Sequence, residues 1–156
     1  MNNHVLRSLR YTLKLSEAKM AEISGLTDPT LAVDAERVAA MLLREEEEGF
    51  ELCTDPVLGG FLDGLIIHRR GPSPNPAQRP ASLEMNNNLI LKKLRVAFEL
   101  KDVDMHAIFE SIEFAVSKPE LSAFFRQRDH RNFRPCGDQI LRQFLKGLTL
   151  RVRGPA

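Results

Sequence analysis

The stretch "CTDPVLGGFLDGLI" (Cys53–Ile66) decides the fold because the chain contains it twice. The later stretch "CGDQILRQFLKGLT" (Cys136–Thr149) repeats its Cys, Asp, Leu, Phe, Leu, Gly and Leu at the same spacing. Its leucines and phenylalanines follow one another at steps of three and four, a spacing that is typical of one face of a helix. We therefore predict that the same long helix is built twice.

The repeat extends in both directions from this helix. "NNHVLRSLRYTLKLSEAKMAEI" (Asn2–Ile23) matches "NNLILKKLRVAFELKDVDMHAI" (Asn87–Ile108) in the paired asparagines, two leucines, an arginine, a methionine and an isoleucine. Toward the end of each copy, "IIHRRG" closes at Gly71 and "LRVRG" closes at Gly154. Self-similarity at a fixed spacing is the signature of a tandem repeat. The alignment needs a single two-residue gap, which falls after Ile23.

A proline-rich stretch separates the two copies. It reads "GPSPNPAQRPAS" (71–82), and its four prolines are incompatible with a continuing helix. The sequence predicts a first helical repeat at residues 1–71, a linker at 72–85 and a second repeat at 86–154.

Each copy contains four helical patterns, and no alternating strand pattern is present. We predict an all-α fold, a tandem repeat of two similar helical units of about four helices each. Candidate N-caps carry short polar side chains at the start of each pattern. They are Asn2 or Asn3, Ser16, Asp34 and Asp55 in the first copy, and Asn87 or Asn88, Asp102, Ser117 and Asp138 in the second.

The repeated Cys-x-Asp invites a catalytic interpretation, but a structural one is favoured. A nucleophilic thiol needs a neighbouring base or a positive environment. Cys53 follows acidic residues, whereas Cys136 follows arginines, so the two copies do not share such an environment. We expect both thiols to pack in the core beside the start of the helix, as free cysteines commonly do.

Composition indicates a cytoplasmic globular protein. The chain of 156 residues is 43% hydrophobic and 28% charged, and its two cysteines do not form a disulfide framework. No apolar run approaches the ~20 residues of a membrane span, and the first residues lack the apolar core of a signal peptide. We expect no membrane partner.

Charge differs between the two halves. Residues 1–77 carry 8 basic and 12 acidic side chains, whereas residues 78–156 carry 14 basic and 9 acidic ones. The difference is sharpest after the third helix, where "REEEEGFE" (44–51) corresponds to "RQRDHRNFRP" (126–135). These segments are either two solvated loops or complementary surfaces in which Glu45–Glu48 face the arginines.

No constellation of residues indicates catalysis or metal binding. The set His106, Asp129, His130, Cys136 and Asp138 lacks the spacing of helical metal ligands, and no glycine-rich phosphate loop is present. Gly59-Gly60 lies inside a helical pattern, where glycine more often permits close helix packing. We predict a protein without enzymatic activity, cofactor or bound metal.

Nucleic-acid binding remains an alternative. Two short helices before a capped third one loosely resemble a helix-turn-helix unit. The acidic first copy is unsuited to phosphates, so such a surface would belong to the second. The candidate binding surface, for this or any other partner, is Arg126, Arg128, His130, Arg131, Phe133, Arg134, Lys92, Lys93 and Arg95.

Together, the segments "NNHVLRSLRYTLKL", "EEEEGFELCTDPVLGGFLDGLIIHRRG", "NNNLILKKLR" and "DHRNFRPCGDQILRQFLKGL" resemble the YehS-like family of uncharacterised bacterial proteins. The resemblance implies a bacterial, cytosolic, all-α protein built from a duplicated domain, and it implies no activity or site residue. We predict a non-enzymatic binding or regulatory module. Its expected partner is another protein or a second copy of the chain, with nucleic acid as the alternative.

Overall fold

The computed structural model describes residues 1–72 and 84–155, and within them it has eight α-helices, one short 3₁₀ helix and no strand. The prediction of an all-α fold is confirmed. The first four helices are α1 (Asn2–Leu13), α2 (Glu17–Ser24), α3 (Ala35–Leu42) and α4 (Asp55–Arg70). The other four are α5 (Asn87–Ala97), α6 (Asp102–Ser111), α7 (Lys118–Phe124) and α8 (Asp138–Arg153).

The chain divides into two compact units, Met1–Met85 and Asn86–Ala156. Each unit contains one copy of the sequence repeat, with four α-helices in the same order. The predicted linker at 72–85 falls largely on residues 73–83, which lie outside the described part of the chain.

Each unit has its own core, formed by the apolar faces that the repeat pattern predicts. In the first unit α2 contacts α3 and α4, and in the second α6 contacts α7 and α8. A fully buried leucine or phenylalanine contributes roughly 1.5–3 kcal/mol relative to an exposed one. The buried side chains include Leu9, Met20, Ile23, Met41, Leu58, Phe61 and Leu62 in the first unit, and Leu94, Met105, Ile108, Phe124, Leu141, Phe144 and Leu145 in the second.

A repeated glycine lets the second and fourth helices of each unit approach closely. A Cβ added at Gly147 would lie 2.5 Å from the carbonyl oxygen of Ile108, and one added at Gly64 would overlap the carbonyl oxygen of Ile23. This glycine is therefore required by packing in both units. Gly60, in the pair noted for helix packing, has a looser fit, with side-chain atoms of Leu31 3.2 Å from an added Cβ.

The two-residue gap in the alignment corresponds to the connection between the second and third helices. In the first unit this connection contains the 3₁₀ helix Pro29–Leu31, and Asp28 accepts a hydrogen bond from the Thr30 amide at 3.0 Å. In the second unit residues 112–117 connect α6 to α7 without such a turn. The insertion thus lies in the connection that carries this surface turn, and α2 has 8 residues where α6 has 10.

Three of the predicted N-caps are confirmed. The side chains of Ser16, Asp34 and Ser117 accept hydrogen bonds from backbone amides in the first turn of α2, α3 and α7. Ser117 also forms the predicted capping box, because the Glu120 carboxylate accepts from the Ser117 amide at 3.3 Å.

The remaining cap predictions are wrong. Asp55 and Asp138 are the first residues of α4 and α8, whose N-caps are Thr54 and Gly137 without a capping side-chain bond. Helix α6 is capped at Lys101, one residue before Asp102, and the Asp104 carboxylate accepts from the Lys101 amide at 2.8 Å.

The paired asparagines do not cap their helices either. Met1 occupies the N-cap position of α1, and Asn86 caps α5 by accepting from the Leu89 amide at 2.8 Å. The side chains of the four paired asparagines instead form hydrogen bonds with the backbone just before the fourth helix of their unit.

Candidate functional site

The paired asparagines fasten the first helix to the loop before the fourth. In the first unit the buried Asn3 side chain donates to the carbonyl oxygens of Met41 and Glu51, both at 2.9 Å, and accepts from the Cys53 amide at 3.0 Å. Asn2 donates to the Cys53 carbonyl at 3.0 Å and to the Asp55 carboxylate at 2.8 Å. We call the side chains of Asn2, Asn3, Asn87 and Asn88 the asparagine clamp.

The second unit repeats every one of these bonds. Asn88 donates to the carbonyls of Phe124 and Arg134 at 3.0 and 2.8 Å and accepts from the Cys136 amide at 2.8 Å. Asn87 donates to the Cys136 carbonyl at 3.0 Å and to the carboxylate of Asp138 at 2.7 Å. The repeated Asn-Asn and Cys-x-Asp motifs are thus two halves of one hydrogen-bonded structure.

Both cysteines are free and buried. Burial is the main reason that the pKa of the Cys53 thiol is raised to about 12, with the negative charge of Asp55 as the next cause. The pKa of Cys136 is also raised to about 12, by burial and by Asp138. A thiol with such a pKa is protonated at neutral pH and is a poor nucleophile. The geometry therefore favours the structural interpretation of Cys-x-Asp.

The asparagine clamp supports two loops with the same backbone hydrogen bonds, although Gly49 has a positive φ of 90° and the equivalent Asn132 does not. We call residues 44–51 the acidic loop and residues 127–134 the basic loop. The Glu51 amide donates to the Ala40 carbonyl at 3.2 Å, and the Arg134 amide donates to the Ala123 carbonyl at the same distance. The clamp bonds a carbonyl at the end of the third helix and the carbonyl of the last residue of each loop. The loops therefore differ in side chains rather than in backbone hydrogen bonding.

One ion pair exchanges its charges between the two units. In the first unit Arg37 on α3 binds Glu51 at the end of the acidic loop, with 2.7 Å between nitrogen and oxygen. At the equivalent positions Glu120 on α7 binds Arg134 of the basic loop at 3.5 Å. Arg134 therefore has a partner inside its own unit.

The basic loop and α7 border two adjoining depressions with volumes of about 700 and 680 Å³. Ser122 and Arg126 line both of them. The larger depression, here named the basic groove, is lined by Lys118, Ser122, Arg126, Arg131, Phe133 and Arg134, among others. The smaller one also involves Asp129 and His130. Four cations and one carboxylate make this surface strongly positive.

The same surface of the first unit has the opposite charge. Alignment of the two loops places Glu45, Glu48 and Glu51 where the second unit has Arg128, Arg131 and Arg134. The side chains of Glu45–Glu48 are all exposed. The acidic loop and the basic loop thus differ mainly in the sign of their side-chain charges, whereas their backbone hydrogen bonds correspond.

The structure brings together part of the predicted binding surface. Arg126, Arg131, Phe133 and Arg134 line the basic groove, and His130 lines the adjoining depression. The side chain of His130 is already engaged locally, because its Nδ1 accepts from the Asn132 amide at 3.0 Å. Arg128 is exposed on the same loop but does not line either depression.

The three predicted cations of α5 do not form an exposed cationic face. Lys93 is buried with 7% of its surface exposed, so including it in the surface was wrong. Arg95 binds Asp102 at 2.7 Å and lies 4.8 Å from the centre of the Phe125 ring, which places it in a structural role. Only Lys92 is exposed. The helical period explains the error, since neighbouring residues on α5 point in different directions.

Two polar residues of α7 that line the basic groove were missed. Lys118 and Ser122 are exposed on α7 and line the groove. The "SKPE" capping box was the available signal, because it fixes the start of α7. With that start known, Lys118 and Ser122 are four residues apart and share one face of α7.

No group of three or more His, Cys, Asp or Glu side chains is placed to hold a metal ion within residues 1–72 and 84–155. Among the helices of those residues, none combines the length and the apolar character needed to cross a bilayer.

The duplicated helices, with the same asparagine hydrogen bonds inside each unit, define a two-unit all-α repeat protein. Comparison with known proteins identifies its family. The chain belongs to the family described as "Protein of unknown function (DUF1456)", whose model matches residues 2–71 and again 87–154. It is 45% identical over 151 residues to the protein named "Uncharacterized protein YehS" of Escherichia coli (strain K12), a match that covers 97% of this chain and 96% of that protein. No solved structure matches the chain.

Proposed function

We propose that this protein is a non-enzymatic, cytosolic binding module that recognises an anionic partner at the basic groove. The observation that carries the proposal is that the two copies share their structural residues but carry opposite charges in the acidic and basic loops. Most residues that both copies share are bound into the core or the asparagine clamp, whereas the loops on the clamp differ in charge. A surface that changes sign on a constant backbone is a suitable place for recognition.

Unpaired arginines support an anionic partner. Within residues 1–72 and 84–155, Arg126 and Arg131 make no ion pair, although both line the same depression. Guanidinium groups suit carboxylate and phosphate oxygens because they donate two parallel hydrogen bonds. Exposed pairs are each worth only about 0–1 kcal/mol, so recognition would need several of them at once. Binding of this kind is sensitive to salt, because exposed charges are screened over about 8–10 Å.

Nucleic acid has less support than an acidic protein surface. Phe133 beside arginines suggests a stacking platform for bases. However, Phe50 occupies the same place in the acidic loop, and the amides of both phenylalanines close the same backbone turn. The connection from α6 to α7, residues 112–117, also exceeds the three to four residues of a helix-turn-helix.

The proposal is tested by reversing charge in the groove. The variant Arg126→Glu/Arg131→Glu is compared with Arg142→Glu/Lys146→Glu, which has the same net charge and alters exposed positions on α8. Binding of fluorescein-labelled poly-L-glutamate is followed by anisotropy at low and high salt. We expect the groove variant to lose at least tenfold in affinity and the α8 variant to lose less than threefold. Equal losses in the two variants contradict a specific site.

A further inference from the structure

We propose that the occupant of the basic groove is the acidic loop of a second copy of this chain. The inference rests on the proposed function, since it needs an anion-binding groove on the second unit. It adds the identity of the partner. One chain would then carry both surfaces of the contact, a groove on its second unit and a loop on its first.

The acidic loop is exposed and fixed in shape. The Glu47 amide donates to the Arg44 carbonyl at 3.0 Å, and the Phe50 amide donates to the Glu47 carbonyl at 3.2 Å. The Asn3 side chain also donates to the carbonyl of Glu51. The Glu47 carboxylate accepts from the Arg44 amide at 2.8 Å and so stabilises the turn. A loop that is already ordered loses less entropy on binding than a flexible one.

The charged side chains without an ion-pair partner that we compare on the two surfaces are equal in number and opposite in sign. Glu45, Glu46 and Glu48 form no ion pair within the described residues, and all three are exposed. On the groove, Lys118, Arg126 and Arg131 likewise have no ion-pair partner in residues 1–72 and 84–155. The fourth cation, Arg134, is already paired with Glu120. Three carboxylates therefore meet three cations.

The size of the groove suits the tip of a loop. Its volume of about 700 Å³ lies within the range of roughly 300–1,000 Å³ that is typical of protein ligand sites. Ser122 contributes a hydroxyl to the lining, and Phe133 contributes an apolar side chain against which the stems of glutamate side chains can pack.

A contact between the groove of one copy and the acidic loop of another is heterologous, because it joins two different surfaces. Each chain offers one groove and one acidic loop, so a closed dimer forms only if each copy's loop occupies the groove of the other. Association should increase with protein concentration, and it should weaken with salt because salt screens the charge pairs of the contact.

Charge reversal of each surface alone and together provides the test. The groove variant is Arg126→Glu/Arg131→Glu, the loop variant is Glu45→Lys/Glu48→Lys, and the third variant combines all four changes. Molar mass is measured by light scattering after size exclusion at 50 mM and 500 mM salt. We expect the wild type to associate at low salt, each double variant to be monomeric, and the combined variant to associate again.

Mixing provides a second, independent readout. The groove variant keeps an acidic loop and the loop variant keeps a basic groove, so an equimolar mixture should form a heterodimer although neither variant associates alone. Arg142→Glu/Lys146→Glu serves as the control and should associate like the wild type. A wild type that is monomeric at every concentration at low salt would overturn the inference, and so would variants that all behave alike.

Failure of this inference can be told apart from failure of the proposed function. If the chain stays monomeric while poly-L-glutamate binds the wild type and not the groove variant, the groove recognises another acidic protein and self-association is wrong. Tighter binding of single-stranded DNA than of poly-L-glutamate of equal charge would show a nucleic-acid partner instead. If none of these probes binds, both proposals fail.

Discussion

At the scale of single residues, one asparagine side chain in each unit forms hydrogen bonds with three backbone groups that are distant from it in sequence. Asn3 contacts the end of α3, the end of the acidic loop and the Cys53 amide just before α4. A buried backbone group that loses its partner costs about 1–3 kcal/mol. Asn3 is buried, whereas its counterpart Asn88 is only half-buried.

Asn3→Ala should therefore destabilise the protein more than Asn88→Ala. We expect a loss of about 2–4 kcal/mol for Asn3, since several groups lose their partner at once, and a smaller loss for Asn88, where water can replace the amide. Urea denaturation followed by circular dichroism measures both losses. Asn132→Ala, at an exposed asparagine of the basic loop, should change stability by less than about 0.5 kcal/mol. A denaturation midpoint unchanged by Asn3→Ala would contradict the role given to the clamp.

The cysteines give a prediction about pH. Their pKa values are raised to about 12 in the folded protein, so the folded state retains thiol protons that an unfolded chain releases above about 9. This contribution is complete below pH 9 and is lost as pH rises from about 9 toward 12. The variant Cys53→Ala/Cys136→Ala should therefore lose less stability than the wild type between pH 8 and pH 10.5, as measured by urea denaturation.

The same burial predicts that a thiol reagent labels neither cysteine rapidly. At pH 8 labelling by 5,5′-dithiobis(2-nitrobenzoate) should be at least a hundredfold slower in the native protein than in urea. Rapid native labelling of either thiol would reopen a chemical role for Cys-x-Asp.

At the scale of helices, the repeated glycine of α4 and α8 sets how closely the second and fourth helices pack. Gly64→Ala and Gly147→Ala should each destabilise by about 1–3 kcal/mol or more, because an added methyl group meets a backbone carbonyl that cannot rotate away. Gly137→Ala is the control at an uncrowded glycine, since no atom lies within 4 Å of an added Cβ and its φ of −72° suits alanine. Thermal denaturation should show a clearly lower midpoint for the first two variants and only a small decrease for the control, because alanine is less favourable than glycine at an N-cap.

The existence and order of the helices could be predicted because their apolar faces repeat along the chain. Ser16, Asp34 and Ser117 could be recognised as caps because a cap is decided by residues within one turn. The asparagine clamp could not, since its partners are about fifty residues apart and no local pattern records a bond between a side chain and a distant carbonyl. Asp55 and Asp138 were mistaken for caps for this reason.

The candidate site was predictable to a similar degree. The arginines of the basic loop were identified together because they are neighbours in sequence, whereas Lys118 on α7 was missed because only packing brings α7 against that loop. Lys93 and Arg95 were included because charge alone does not reveal which side of a helix faces the core.

At the scale of the whole molecule, the helix contacts that form each core join helices of the same unit. A fragment of residues 1–72 and a fragment of residues 84–156 should therefore each fold alone. Domains of this length are expected to have stabilities of about 4–10 kcal/mol. Each fragment should give helical circular dichroism and a cooperative urea transition. A fragment that unfolds gradually, or lacks helical signal, would show that a unit depends on the other half of the chain.

The asparagine clamp has a consequence for how such a chain can diverge after duplication. It bonds the carbonyl of the last residue of each loop, an atom that every amino acid possesses, so most side chains before that bond can change while it is kept. One copy can then acquire new surface chemistry while the other keeps the old one. We expect the loops to be exchangeable by design: residues 44–51, including Gly49 with its φ of 90°, should replace 127–134 and give two units with one specificity.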